Sequence, residues 1–255
     1  MRKLIVAWFG IAALAAALRP AAAADLPMIY RPQQTYVIFT WTGFYFGVHG
    51  GGGWGQKEVT AAPFPVGGGI NFVQSAVTAN PSGWIAGAQI GANYQVGSWV
   101  FGFEADGGGA DLSGNATCSH SLVGIVTVTA NCSAKVNSLG TVAGRLGIAL
   151  DRMLVYGKGG GAWANDQYQL NSALLAFNAS ETRWGWMVGA GVEYSFTDTW
   201  SAKIEYNYLD FGTRAIRFTD TTGLFNLDTN ISERIHVVKA GINYRFGWAP
   251  VGVTY

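Results

Sequence analysis

From Trp84 to Val96 the chain alternates without a break. Trp84, Ala86, Ala88, Ile90, Ala92, Tyr94 and Val96 fall on one parity, and Ile85, Gly87, Gln89, Gly91, Asn93 and Gln95 on the other. A period of two belongs to a strand, whose successive side chains point to opposite faces. Its length narrows the choice further. Strands of soluble proteins usually run about 5 to 6 residues, whereas a tilted strand crossing a bilayer needs about 9 to 11. The pattern recurs. Trp99, Phe101 and Phe103 oppose Gly102, Glu104 and Asp106, while Trp184, Trp186, Val188, Ala190, Val192, Tyr194 and Phe196 oppose Gly185, Gly189, Gly191, Glu193 and Ser195. Trp200, Ala202, Ile204, Tyr206 and Tyr208 oppose Ser201, Lys203, Glu205 and Asn207. Val238, Ala240, Ile242, Tyr244 and Phe246 oppose Lys239, Gly241, Asn243 and Arg245. Rings bracket smaller apolar residues on one face, as expected where aromatic side chains sit at the two interfaces of a bilayer. Three further strands, 44–53, 142–150 and 153–163, are less regular. In the last, Lys158 shares parity with Leu154 and Tyr156, so the sequence does not assign its faces; a bulge or an inward Tyr156 would reconcile them.

The connections between these segments set a topology. Short ones lie at Gly97–Ser98, Asp151–Arg152 and Thr197–Thr199, and long ones at about 54–83, 107–138, 164–182 and 212–234, rich in Gly, Asn, Ser and Thr. Three short and four long connections join eight strands, the even number of an outer-membrane barrel with short periplasmic turns and long external loops. In lipid only closure satisfies every strand's backbone polar groups. The expected fold is therefore all-β: an eight-stranded antiparallel transmembrane up-and-down β-barrel over 41–246, with four long external loops. A secreted β-sandwich would not explain Lys, Glu and Arg on one strand face with rings on the other.

The ends of the chain fit export. Arg2 and Lys3 precede an apolar run from Leu4 to Leu18, followed by Pro20 and Ala21 to Ala24, the pattern of a signal peptide over 1–23 with cleavage after Ala23 or Ala24. The run is shorter than the 18 or so residues of a spanning helix. Residues 24–40, broken by Pro27 and Pro32, read as an irregular periplasmic lead-in outside the core, and 247–255 as a C-terminal extension. Charged residues make up only 12% and the net charge is +1, so no basic field is available for nucleic acid, and none is expected as a partner.

The segments W-T-G-F-Y-F-G from Trp41, W-I-A-G-A-Q-I-G-A-N-Y from Trp84, G-R-L-G from Gly144, K-I-E-Y-N-Y-L-D-F-G from Lys203 and G-I-N-Y-R-F from Gly241 occur in one chain. In combination they resemble the alphaproteobacterial outer-membrane immunogenic proteins, small porin-like surface barrels related to the OmpA transmembrane domain. The resemblance covers most of the chain beyond the signal segment. It implies an abundant surface antigen without catalysis, and some members of the family are similar to haem-binding proteins. The family pattern stops at its final Y-R-F, whereas nine residues follow here. The terminal aromatic that resembles the barrel-assembly signal is thus either Phe246 or Tyr255.

Eight strands enclose a lumen just wide enough for side chains to fill. Inward parity places Glu104, Asp106, Glu193 and Glu205 there with Arg145, Lys203, Lys239 and Arg245. These charges cancel, and in a narrow interior paired ions are tolerated where single ones are costly. The expectation is a salt-bridged plug, with a gated ion path as its alternative. Cys118 and Cys132 share one external loop in an oxidising compartment, so a disulfide is expected; metal binding with His120 is the weaker reading. Closing a loop of about 15 residues would stabilise by roughly 3 kcal/mol. His49, His120 and His236 lack metal spacing, and His49 lacks a nucleophile motif, so no metal, cofactor or catalytic site is expected. Gly50, Gly52 and Gly55 form G-x-G-x-x-G, but without a following helix the match is accidental. The expected function is a non-enzymatic outer-membrane surface role; the alternative is a narrow channel or a haem-binding barrel. Expected partners are outer-membrane lipid and lipopolysaccharide, the barrel-assembly machinery, and external ligands at the loops.

Overall fold

The computed structural model of the chain describes residues 39–61, 64–67, 70–74, 77–122, 126–171, 176–220 and 226–247. Eight long strands carry the architecture: β1 (Gly43–Ala61), β5 (Ser82–Val96), β6 (Trp99–Leu122), β7 (Val126–Leu150), β8 (Met153–Asn171), β9 (Ala176–Ser195), β10 (Trp200–Asp220) and β11 (Asn226–Gly247). Every neighbouring pair is antiparallel. The ladder runs β1 to β5, then through consecutive strands to β11, and β11 returns to β1 over its full length from Gly43↔Gly247 to Ala61↔Thr229. The sheet is thus a closed ring of eight long strands, and no long strand is left with a bare edge across the ring.

The exterior explains the closure. Between Phe44 and Trp54, and over the matching stretches of the other seven long strands, outward positions carry no Asp, Glu, Lys or Arg. Ile90, Ile204 and Val48 are each more than 60% exposed. Such a surface is stable only in hydrocarbon, and its rings form two bands. Phe44, Phe46, Tyr94, Trp99, Phe196, Trp200 and Phe246 lie at the short-turn end. Trp54, Trp84, Trp184, Trp186 and Tyr206 lie at the other. Ten residues of tilted strand between bands match an apolar height of about 25 Å. Strand 153–163 resolves by an inward Tyr156: Leu154, Tyr156 and Lys158 all face the lumen, while Met153, Val155 and Gly157 face out.

The three short turns fall where the sequence placed them, with Gly97 (φ 60°) and Asp151 (φ 54°) in the left-handed region. The long connections differ from expectation. Most of 107–138, 164–182 and 212–234 is strand, so β6 and β7 reach 24 and 25 residues. Above the second band both faces of a strand meet water or polar neighbours, and the apolar alternation that revealed the strands stops while backbone pairing continues. Outward residues there are polar, including Gln56, Glu58, Asn165, Thr182 and Arg234. The first connection contains three short strands: β2 (Phe64–Gly67), β3 (Ile70–Gln74) and β4 (Val77–Ala79). β4 continues the line of β5 along β1, interrupted at Asn80–Pro81, where proline has no N–H for the ladder. In β10 the register shifts between Asp210 and Gly212 (φ 63°), and Phe211 turns inward.

The lipid-facing assignment has a quantitative consequence. Ile204→Lys, midway between the bands, should destabilise the folded barrel in vesicles by about 2–4 kcal/mol. Thr182→Lys, above the outer band, should stay within about 0.5 kcal/mol. Urea titration of refolding into phosphatidylcholine vesicles measures both.

Candidate functional site: the barrel lumen

The inward face is layered. At the short-turn end Trp41 is fully buried against Val100, Ala149, Leu154 and Tyr156, with Phe39 packed on the cluster. Trp41 opens the span expected for the barrel, and from the lead-in before it Phe39 is half-buried against this cluster. Arg245 departs from the sequence expectation. Instead of pairing with a carboxylate, its guanidinium donates to Ser195 Oγ at 2.5 Å, Asp198 O at 3.1 Å and Thr40 O at 3.4 Å. It also lies 4.6 Å over both the Phe39 and Trp41 rings. The nearby main-chain carbonyls and rings provide for this charge without an anion.

Above this plug stands the charged layer. Glu104 on β6 receives Lys203 at 2.7 Å, Lys158 at 3.0 Å and the Tyr45 hydroxyl at 2.8 Å. β6 and β10 are four places apart in a ring of eight, so the Glu104–Lys203 pair spans the lumen. Glu205 takes Lys203 at 3.1 Å, Lys239 at 3.6 Å, Lys158 in close contact, and the Tyr156 hydroxyl at 2.9 Å. Asp106 holds Lys239 at 3.0 Å and accepts from Thr141 at 2.6 Å. Arg145 donates to Glu193 at 2.8 Å and stacks 3.8 Å over the Tyr156 ring. Lys158, unassigned by sequence, thus stands where Arg245 was expected, and four anions still face four cations. Register alone would mislead here. Lys203 lies opposite Glu193 in the ladder yet pairs across the lumen, and Arg145 lies opposite Lys158, a like-charge pair made tolerable by Glu104 between them and by Glu193 and Glu205 on either side. Gly91 and Gly191 make room for the two tyrosines, since a Cβ at either would overlap a phenol ring.

A neutral chain extends the layer: His49 Nδ1 meets Gln89 Oε1 at 2.5 Å, Gln89 donates to Asn243 at 2.7 Å, and Asn243 donates to Glu193 at 2.8 Å. His49 is thereby engaged as a link between polar side chains. Glu104, Asp106 and Glu205 come close enough to share a cation, but the lysines already occupy that place.

Next comes an apolar layer that includes Leu112, Val136, Leu139, Met187, Leu209, Phe211, Ile235 and Val237. A void of about 10 Å³ at its junction with His49, Asp106 and Lys239 has the size of one water. Above it lies a second charged cluster that sequence reasoning missed. Lys57 on β1 bridges Asp166 on β8 at 2.9 Å and Glu233 on β11 at 2.8 Å, and Arg183 on β9 reaches Glu233 at 3.0 Å and Ile231 O at 2.5 Å. All four ions are fully buried. Their only sequence signal is inward parity carried past the outer band. Burial pushes the Glu233 carboxyl up to about 7, with Asp166 adding to the rise and Lys57 opposing it. Cys132 lies opposite Ala116 and Cys118 opposite Ala130 on the paired strands β6 and β7, while the side chains of Cys118 and His120 lie outside the described residues. Phe246 faces outward beside Phe46 at 5.5 Å, on the closing seam; Tyr255 lies outside the described residues.

A closed ring of eight long strands, banded with rings outside and filled by charge inside, defines a membrane-spanning β-barrel of the outer-membrane type. Residues 9–246 match the family model of the outer membrane protein beta-barrel domain, and the chain belongs to that family. It is 31% identical over 215 residues to the 31 kDa outer-membrane immunogenic protein of Brucella melitensis biotype 1, covering 82% of this chain and 85% of that one. It is 28% identical over 222 residues to the 25 kDa outer-membrane immunogenic protein of Brucella abortus biovar 1, covering 87% of each. Among solved structures, the outer membrane protease OmpT from Escherichia coli aligns with a TM-score of 0.48 at 9% identity, over 82% of this chain and 98% of that one. Ail, the attachment invasion locus protein of Yersinia pestis, aligns with a TM-score of 0.37 at 14% identity, over 80% and 99%. The family resemblance seen in the motifs holds, and the protein is an outer-membrane β-barrel of the immunogenic, OmpA-like type.

Two outcomes follow for the lumen. Glu104→Ala leaves Lys158 and Lys203 short of an anion and should cost about 3–5 kcal/mol, against less than about 1 kcal/mol for Asp198→Ala at the exposed Arg152 pair. Heat-modified gel mobility and urea midpoints compare them. For Glu233, a folded pKa above the ordinary 4.5 disfavours the ionised form, so its contribution should improve as pH falls from about 7 towards 4.5. Glu233→Gln should flatten that part of the stability profile, measured by urea unfolding across the pH range.

Proposed function

We propose that the protein is a non-enzymatic, non-conducting surface scaffold that holds long extracellular β-hairpins above the outer membrane for contact with external partners, in an antigen-like role. The observation that carries this reading is the lumen: side chains from opposite strands meet across it in ion pairs, and a packed apolar layer lies above them. Ions moving through would have to separate buried pairs and then cross an apolar constriction, and both steps are costly. What remains for function is the outer end, where strands continue past the outer ring band. The non-enzymatic reading is supported by the relatives' naming as immunogenic proteins and by His49 being engaged with Gln89.

In this reading residues 1–23 are removed on export, Phe246 at the closing strand serves recognition by the assembly machinery, and Cys118 and Cys132 are bonded to each other. The pairing is supported by their places two steps apart on one ladder. Mass spectrometry of unreduced peptides should find a single linked peptide pair; two free thiols would overturn it.

Conductance tests the scaffold itself. Purified protein in planar bilayers should give no steady current, and Glu205→Ala, which removes an anion shared by three lysines but leaves the apolar layer in place, should give none either. A steady, ohmic wild-type current would replace the scaffold by the narrow-channel alternative.

A further inference from the structure

The outer ring band is not uniform around the barrel. β6 and β7 contribute no ring of their own at its height: Gly107 and Gly140 face out there, and the Trp163 indole of β8 lies across them. On β1, β10 and β11 the rings form a connected cluster around His236. Trp54 stacks on His236 at 5.6 Å and 7°, Tyr208 lies 5.2 Å from it, and the Tyr206 hydroxyl meets His236 Nδ1 at 2.7 Å. Trp186 extends the cluster, 5.6 Å from Tyr208. Histidine is an unusual member of such a band, which Trp and Tyr ordinarily fill. With Nδ1 committed to Tyr206, its Nε2 has no partner among the described residues.

One step above His236 on the same outward face of β11 is Arg234. Its side chain is 55% exposed, and its one ion pair among the described residues is a long contact from Nε to Asp210 Oδ2 at 3.7 Å. Asp210 is itself bonded by Tyr208 at 3.2 Å and by the Gly212 amide at 2.8 Å. The guanidinium's outer nitrogens are thus turned to the surroundings at the height where the apolar exterior ends. Lys135, the exposed cation near Trp84 elsewhere on the ring, is held by Asp111 at 3.0 Å. At Thr182 and Asn165, above Trp184 and Trp163, the surface is neutral.

We propose that the outward face formed by Trp54, Tyr206, Tyr208, Arg234 and His236 is a binding surface for the phosphorylated saccharide headgroup of an outer-leaflet glycolipid. Two parts of the surface fit two parts of one molecule. Guanidinium and imidazole N–H groups suit phosphate, which takes short charge-assisted hydrogen bonds. Flat rings at the interface suit the apolar face of a sugar, with the acyl chains continuing down the bare apolar wall below. The long-hairpin end of the barrel is the extracellular end, so this band borders the outer leaflet, whose lipids carry both chemistries.

The proposal is tested on the full-length protein in non-ionic detergent, titrated with bisphosphorylated lipid A, with dephosphorylated lipid A and with phosphatidylglycerol, and read by native mass spectrometry. Wild type should retain bisphosphorylated lipid A. Arg234→Gln should weaken retention about tenfold, as the loss of one charged hydrogen bond would. Trp54→Leu should weaken it less, and Lys135→Gln should leave it unchanged. Phosphatidylglycerol and dephosphorylated lipid A should both bind more weakly than the phosphorylated form. Equal retention of phosphatidylglycerol and lipid A, or full retention by Arg234→Gln, would overturn the proposal. Heat-modified mobility confirms that each variant is a folded barrel.

Discussion

Hydrocarbon offers a peptide group nothing to bond with. Each N–H and C=O on a strand in the bilayer must find a partner on the next strand, and that single demand closes the ring from β11 back to β1. Closure with eight strands makes the interior narrow, and narrowness decides what the inward residues can be. Two tyrosines are accommodated because glycines stand opposite, and the charges of the inner layer because counter-charges reach them from neighbouring strands and from the far wall. The exterior and interior chemistries are both consequences of the same backbone requirement.

Most of this was legible in the sequence where lipid enforced a contrast between faces. Trp84 to Val96 alternates because one side meets acyl chains and the other meets Gln89 and Asn93. Above the band that contrast vanishes, so the upper parts of β6 and β7 looked like loops although their backbones remain paired. The same blindness hid Lys57, Asp166, Arg183 and Glu233, which are inward and buried but stand among residues with no apolar partners in alternation. Lys158 was obscured differently: it shares parity with Leu154 and Tyr156, which left its face open in the sequence, and the structure turns all three inward. Arg245 shows that parity finds the face of a residue and not its partner, since carbonyls and rings serve it in place of a carboxylate.

The order of layers along the axis separates roles that composition merges. The charged layer and the outer cluster are each balanced, and the apolar layer between them keeps the two sets of ions from sharing partners. The inner set joins strands within the membrane. The outer set ties β1 to β8, opposite members of the ring, at the base of the extracellular hairpins. Rigidity of those hairpins near the membrane therefore comes from buried ions.

The distance along the chain between partners in the inner layer carries a further meaning. Glu104 and Lys203 are 99 residues apart and sit on strands that face one another only when the ring is complete. During assembly Glu104 and Lys203 must wait for one another until the ring closes, because no hairpin holds both strands, whereas Glu205 already meets Lys203 and Lys239 within β10 and β11. Contacts of such long range form late and slow the approach to the finished state. Completion of the ion network across the lumen is thus timed to the final strand pairing, so the seam that closes the wall is also the step that locks the interior.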